Sequence, residues 1–167
     1  MIDFFKDASF TKKVTGVAKL KGAPVVHARS SSPGKKISKV ATFRNGDDKV
    51  ASVLLEVAST PEERKQGLMG RDSLPSVCGM LFSGLSGGGT FWMKNCLIPL
   101  DIVFMDKDGL VTRLYSMSVD DGDKLYEYDD GDVSAIELKD GFCKEHGIAK
   151  GCSVEISDIG KESGGNV

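Results

Sequence analysis

From residue 49 onward the apolar positions fall in short runs separated by Gly, Pro, Asn and Asp, the pattern of a chain built from short strands. Residues 49–58 carry Val50, Val53, Leu54, Leu55 and Val57, with Glu56 set among them. Residues 79–82 form a second β-rich run. Residues 90–94 and 97–106 read as two strands interrupted at Asn95-Cys96. Asp108-Gly109 is a hairpin signal leading into a returning strand at 110–119. Val111, Leu114 and Tyr115 break the alternation there, which predicts a bulge. Residues 133–138 and 151–158 complete the set, the last with Val154 and Ile156 inward.

Helical signals are few. Thr60-Pro61-Glu62-Glu63 has the N-cap Thr, the Pro at N1 and the Glu at the capping-box position. The helix should stop near Gly67 or Gly70. Residues 141–146 predict a short helix or turn ended by Gly147. The fold class expected is mainly β, a compact sandwich or barrel of about seven short strands with one or two short helices, plus an extended N-terminal arm. The expected division is an arm at 1–48, a β domain at 49–160 and a polar tail at 161–167.

The arm differs in kind from the rest. Phe4, Phe5 and Phe10 lie near its start, followed by Lys12 and Lys13 and, beyond a Ser-rich stretch, Lys35 and Lys36. Its short β-like pieces, 14–20, 24–28 and 37–43, bury too little for independent stability. Residues 1–49 hold 11 Lys and Arg against 4 Asp, and the remainder holds 11 against 20 Asp and Glu, inside a net charge of only -2. A basic leader of this kind suits an acidic protein surface, or phosphate contacts without sequence preference.

Composition narrows the class. A hydrophobic fraction of 40% supports one core in 167 residues. No run has the length of a membrane span, and the N-terminus lacks a secretory signal, so the expected location is the cytoplasm. The 4 cysteines contain no Cys-x-x-Cys pair and there are only 2 histidines, which argues against a zinc site. The acidic loop at 120–132 lacks the ligand spacing of a calcium loop. No metal and no cofactor are expected. A Cys143–His146 pair three residues apart is the sole trace of a nucleophilic arrangement, and a His there suits a helix terminus better.

Several uncommon motifs occur in order: Leu55-Glu56-Val57-Ala58; Thr60-Pro61, Arg64, Gly67-Leu68-Met69 and Arg71; Gly79-Met80-Leu81-Phe82; Phe91-Trp92-Met93-Lys94-Asn95; Ile98-Pro99-Leu100-Asp101; Asp108-Gly109; Ile136-Glu137-Leu138 and Gly141. Over about residues 50–158 the chain closely resembles the DUF192 (UPF0127) family. The resemblance implies a compact mainly β fold and names no reaction. Cys96 stands where the family usually has Thr, and the acidic loop replaces a cysteine-proline segment of exported members. The arm lies outside the family.

The polar residues within these motifs are Glu56, Arg64, Arg71, Lys94, Asn95, Asp101 and Glu137. Gathered beside Trp92, they would form a binding pocket, with the arginines gripping an anion and Asp101 or Glu137 able to act as a base. Paired as buried ions, for instance an Arg with Glu56 or Asp101, they would only fix the fold. Trp92 is expected in the core. The function expected first is a non-enzymatic structural or adaptor module, built into a larger assembly of other protein subunits through its arm. Self-association or a phage virion are settings for it. The alternative is a small anionic-ligand-binding protein, or an enzyme, using Trp92, Arg64, Arg71 and Asp101.

Overall fold

The structure is a computed structural model and describes residues 36–160. Among them are nine strands: β1 (Lys39–Asn45), β2 (Asp48–Ala58), β3 (Cys78–Ser83), β4 (Gly89–Phe91), β5 (Leu100–Met105), β6 (Val111–Met117), β7 (Tyr126–Tyr128), β8 (Ser134–Lys139) and β9 (Ser153–Asp158). Two short helices accompany them, α1 (Pro61–Gln66) and α2 (Phe142–Glu145). Seven strands form one mixed sheet in the order β6-β5-β8-β3-β2-β1-β9, and β4 pairs separately with β7. The β2–β3 pair is parallel, with α1 in the crossover. The other pairs are antiparallel.

The large sheet curls until its edges meet at one end. Val111 N–H donates to the Cys152 carbonyl at 2.8 Å and Val154 N–H to the Gly109 carbonyl at 2.8 Å. A single isolated bridge, Leu110 to Ser153, joins the edges among the described residues. The sheet is therefore not closed as a barrel and is sandwich-like. Gly109 (φ 77°) occupies the tight turn between β5 and β6, where a Cβ would lie 2.6 Å from the Val154 carbonyl oxygen. Only glycine allows both the backbone conformation and the approach of β9.

Side-chain alternation gives the sheet two apolar faces. Val57, Leu81, Ile136 and Val103 are paired in a row across β2, β3, β8 and β5. They belong to a core that also takes Phe43, Val154 and Phe142. The next row, Glu56, Met80, Glu137 and Ile102, faces the other way. That second face carries Leu54, Phe82 and Phe104 and is covered by Leu68, Leu85 and Met93 from the connecting loops.

The helix signals appear as the sequence predicts. Thr60 Oγ1 accepts the Glu63 N–H at 3.2 Å and Glu63 Oε2 accepts the Thr60 N–H at 3.0 Å, closing the capping box. The bulge is present too. Phe104 pairs with Arg113 and Met105 with Val111, leaving Thr112 as the extra residue.

Three expectations need correction. The arm boundary at 48 cuts through a hairpin: β1 lies between β2 and β9, and Phe43 is fully buried. A strand too weak to stand alone is stabilised by two neighbours. The strand expected at 90–94 ends at Phe91 and the one expected at 97–106 begins at Leu100, because Asn95 takes a left-handed φ of 60° between them and Pro99 offers no N–H to a ladder. The acidic loop contains a strand, β7, whose three residues are too few to show a pattern. The arm residues Phe4, Phe5, Phe10, Lys12, Lys13 and Lys35 lie outside the described residues, as does the tail at 161–167; Lys36 is described and exposed.

The N-terminus of α2 has no side-chain cap of its own. Asp101 supplies one from β5: its Oδ2 accepts the Cys143 N–H at 2.9 Å while its Oδ1 accepts the Ser116 hydroxyl at 2.8 Å. Asp101→Ala orphans the buried Cys143 N–H. The expected loss is about 1–3 kcal/mol, read as a lower urea midpoint with unchanged far-ultraviolet circular dichroism. An unaltered midpoint would show that this cap carries no stability.

Candidate functional site

The row Glu56, Met80, Glu137, Ile102 puts two carboxyl groups on one apolar face, with one strand between them. Their fates differ. Arg71, in the loop after α1, meets Glu56 with two parallel hydrogen bonds, Nη1 to Oε1 at 2.8 Å and Nη2 to Oε2 at 2.7 Å. Both side chains are buried, and the hydrogen-bonded Glu56 carboxylate raises the Arg71 pKa further. A planar fork suits such a pairing, and burial requires it.

Glu137 is left over. It is 5% exposed and its Oε2 has no hydrogen-bond partner among the described residues. Burial pushes its pKa up to about 8, against the opposing pull of nearby Arg71. At neutral pH this carboxyl mostly keeps its proton. An unpartnered buried carboxyl costs stability and is a feature of sites rather than of cores.

Glu137 lines a surface cleft of about 250 Å³. The walls are aromatic: Phe82, Phe91, Trp92 and Tyr128 line it, with Arg64 and Lys65 of α1 also contributing. Phe91 anchors the wall, its ring edge-on to Phe82 at 5.0 Å and to Tyr128 at 5.9 Å between centroids. The β4–β7 pairing sets Gly89 opposite Tyr128. A Cβ on Gly89 would come within 2.6 Å of the Tyr128 hydroxyl, so the ring lies against bare backbone. Arg64 is held by its Nη1, which donates to the carbonyls of Ser59 at 2.7 Å and Ser83 at 3.0 Å. Cys96 also lines the cleft, its thiol pushed up to about 11 by burial and by Glu137. That keeps it protonated and a poor nucleophile.

The sequence candidates thus separate. Arg64, Trp92 and Glu137 meet in the cleft, with Arg71 behind Glu137 in its ion pair. Trp92 is 43% exposed, contrary to the expected core position, because β4 ends before it and the loop turns outward. Asp101 faces the opposite side of the sheet, its pairing partner being Leu138, the neighbour of Glu137. Lys94 and Asn95 are exposed. Asn95 contributes through its backbone, its carbonyl accepting the Gly70 N–H at 2.9 Å and tying the 92–99 loop to the loop that carries Arg71. Cys143 and His146 form no nucleophilic pair: burial and Asp101 raise the thiol pKa, and His146 packs on Phe142. Phe82, Phe91 and Tyr128 line the cleft in addition to the sequence candidates. The Phe91-Trp92 motif was the signal available for Phe91, while Tyr128 lies in an acidic loop with none. Among the described residues no group of His, Cys, Asp and Glu is placed to hold a metal ion, and no helix is long and apolar enough to cross a membrane.

Two outcomes follow for stability. Arg71→Met alone strands Glu56 and should cost about 3–5 kcal/mol, most of it recovered when Glu56→Leu is added; equal melting of the single and double variants would contradict this. Glu137 has a folded pKa of about 8, above its unfolded value. Its contribution is therefore fully present below the unfolded carboxylate pKa and is lost as pH rises through the folded one. Wild-type stability should fall between about pH 5 and pH 8 by an amount on the order of a few kcal/mol. Glu137→Gln should flatten that slope in pH-dependent urea melts.

No curated protein matches the chain significantly. A solved protein from Sinorhizobium meliloti 1021, described only as a proposed transcription regulator, superposes with a TM-score of 0.68 at 25% identity, covering 75% of this chain and 97% of that one. A protein of unknown function from Novosphingobium aromaticivorans DSM 12444 gives a TM-score of 0.70 at 28% identity, covering 84% and 99%. The family model DUF192, described as "Uncharacterized ACR", matches residues 42–156. That span runs from inside β1 to inside β9 and includes every residue that lines the cleft, so the chain belongs to the DUF192 family.

Proposed function

We propose that this domain is a small-molecule-binding module whose site is the cleft between α1, the 92–99 loop and the β4–β7 pair. The observation that carries the reading is Glu137, a carboxyl 5% exposed, with an oxygen that no group among the described residues satisfies, in the lining of an aromatic-walled opening. Apolar walls with a few convergent polar groups and one perturbed acid are the usual constitution of a ligand site. The family motifs support the same reading, since Arg64, Gly67, Phe82, Phe91, Trp92 and Glu137 all line the cleft. An assembly role through the arm rests mainly on residues outside the described ones, whereas the cleft rests on packed geometry, and binding is the stronger proposal.

Trp92 is the only tryptophan of the chain, so its fluorescence reports on this cleft alone. A panel of cationic, anionic and neutral small metabolites should include compounds that change Trp92 emission and raise the melting temperature together. A ligand at a hundred times its Kd should stabilise by about 2.7 kcal/mol. Thr90→Phe narrows the cleft from an exposed strand position and should abolish both responses with little effect on the unliganded melting temperature. A panel in which no compound moves either signal would sink the proposal.

A further inference from the structure

The cleft is lined by groups of both charges, and that bears on what enters it. Glu137 is an acceptor without a donor, buried to 5% exposure. Among the described residues, the nearby cation Arg71 is already engaged by two hydrogen bonds to Glu56. Phe82, Phe91, Trp92 and Tyr128 line the same cleft, and ring faces attract cations and repel anions. The Cys96 thiol, which Glu137 influences, is neutral and supplies no positive charge. A small hydrogen-bond-donating cation would supply the missing contact, the carboxyl releasing its proton to solvent as the cation arrives.

Arg64 and Lys65 of α1 also line the cleft, and Lys65 is exposed. They would oppose entry of a simple cation and favour a ligand whose other end is negative. We infer that the cleft takes a small zwitterion, its ammonium group seated on the Glu137 carboxylate among the aromatic rings and its anionic end held toward Arg64 and Lys65. This inference rests on the cleft being a binding site. It adds that the ligand class is an amino acid or a similar short amino-carboxylate rather than a sugar, a nucleotide or a simple anion.

The charge logic predicts a pH signature. Free Glu137 is largely protonated below about pH 8, so an arriving ammonium must displace that proton. Affinity should rise with pH, by as much as roughly tenfold per unit below the Glu137 pKa, and level off above it. The ammonium of an alkyl chain stays charged across this range.

The test uses four probes of equal carbon count: 4-aminobutyrate, butylamine, butyrate and 1-butanol, titrated into the full chain at millimolar concentration and followed by Trp92 fluorescence. The expected order is 4-aminobutyrate first, butylamine second, and butyrate and butanol last. Glu137→Gln should weaken the two amines by roughly tenfold or more while leaving the other probes unchanged. The same variant should remove the pH dependence, a readout that damaged folding would not mimic if its melting temperature is retained. If butyrate or butanol binds as well as the amines, or if Glu137→Gln has no effect on amine binding, the zwitterion assignment is overturned and the cleft remains a binding site of another specificity. If none of the four probes, nor any compound of the metabolite panel, alters Trp92 emission, both readings fail.

Discussion

The buried fork between Arg71 and Glu56 is the constraint on which the site depends. It fastens the loop after α1 to the middle of the sheet, at the parallel β2–β3 pair, where α1 makes the crossover. The same loop receives the 92–99 loop through the Gly70–Asn95 hydrogen bond. One ion pair thus sets the position of both segments that flank the cleft. It also engages the one buried guanidinium among the described residues, which is why Glu137 gains no partner from it. Ion pairs of this sort contribute little net stability beside a well-packed apolar substitute. Their effect here is positional.

The opposite face of the sheet shows what a satisfied carboxylate looks like. Asp101 is as buried as Glu137 and sits beside it in register, paired with Leu138. Yet both its oxygens are occupied, by Ser116 and by the Cys143 N–H. Two acids in adjacent positions of one sheet therefore have opposite characters. Asp101 ties a helix to a strand and needs nothing further. Glu137 has a raised pKa and an orphaned oxygen, and it costs stability that ordinary packing would not spend. Natural chains break local rules of this kind chiefly at functional sites.

Much of the fold could be read from the chain. The capping box at Thr60 and Glu63, the Asp108-Gly109 turn, a bulge in the strand that follows it and most strands followed from local chemistry, because each depends on residues close in sequence. What escaped was either short or stabilised from both sides. β7 has too few residues to show alternation, and β1 is ordered by β2 and β9 rather than by its own composition. Trp92 was misplaced because a large aromatic suggests a core, and nothing local shows that the strand ends one residue before it.

The sequence by itself determined the class of fold, the family and the polar residues worth asking about, since these rest on periodicity, turn chemistry and motif order. It did not determine which of those residues share a site. A sheet sends neighbouring positions to opposite faces, and only the register across β2, β3, β8 and β5 decided that Glu137 joins Glu56 while Asp101 turns away. Only the path of the two loops decided which carboxylate Arg71 would reach. The tertiary structure turned a list of seven polar motif residues into one neutralised pair, one structural cap and one unpartnered acid in an aromatic cleft, because pairing depends on distance in space and the chain records only distance along itself.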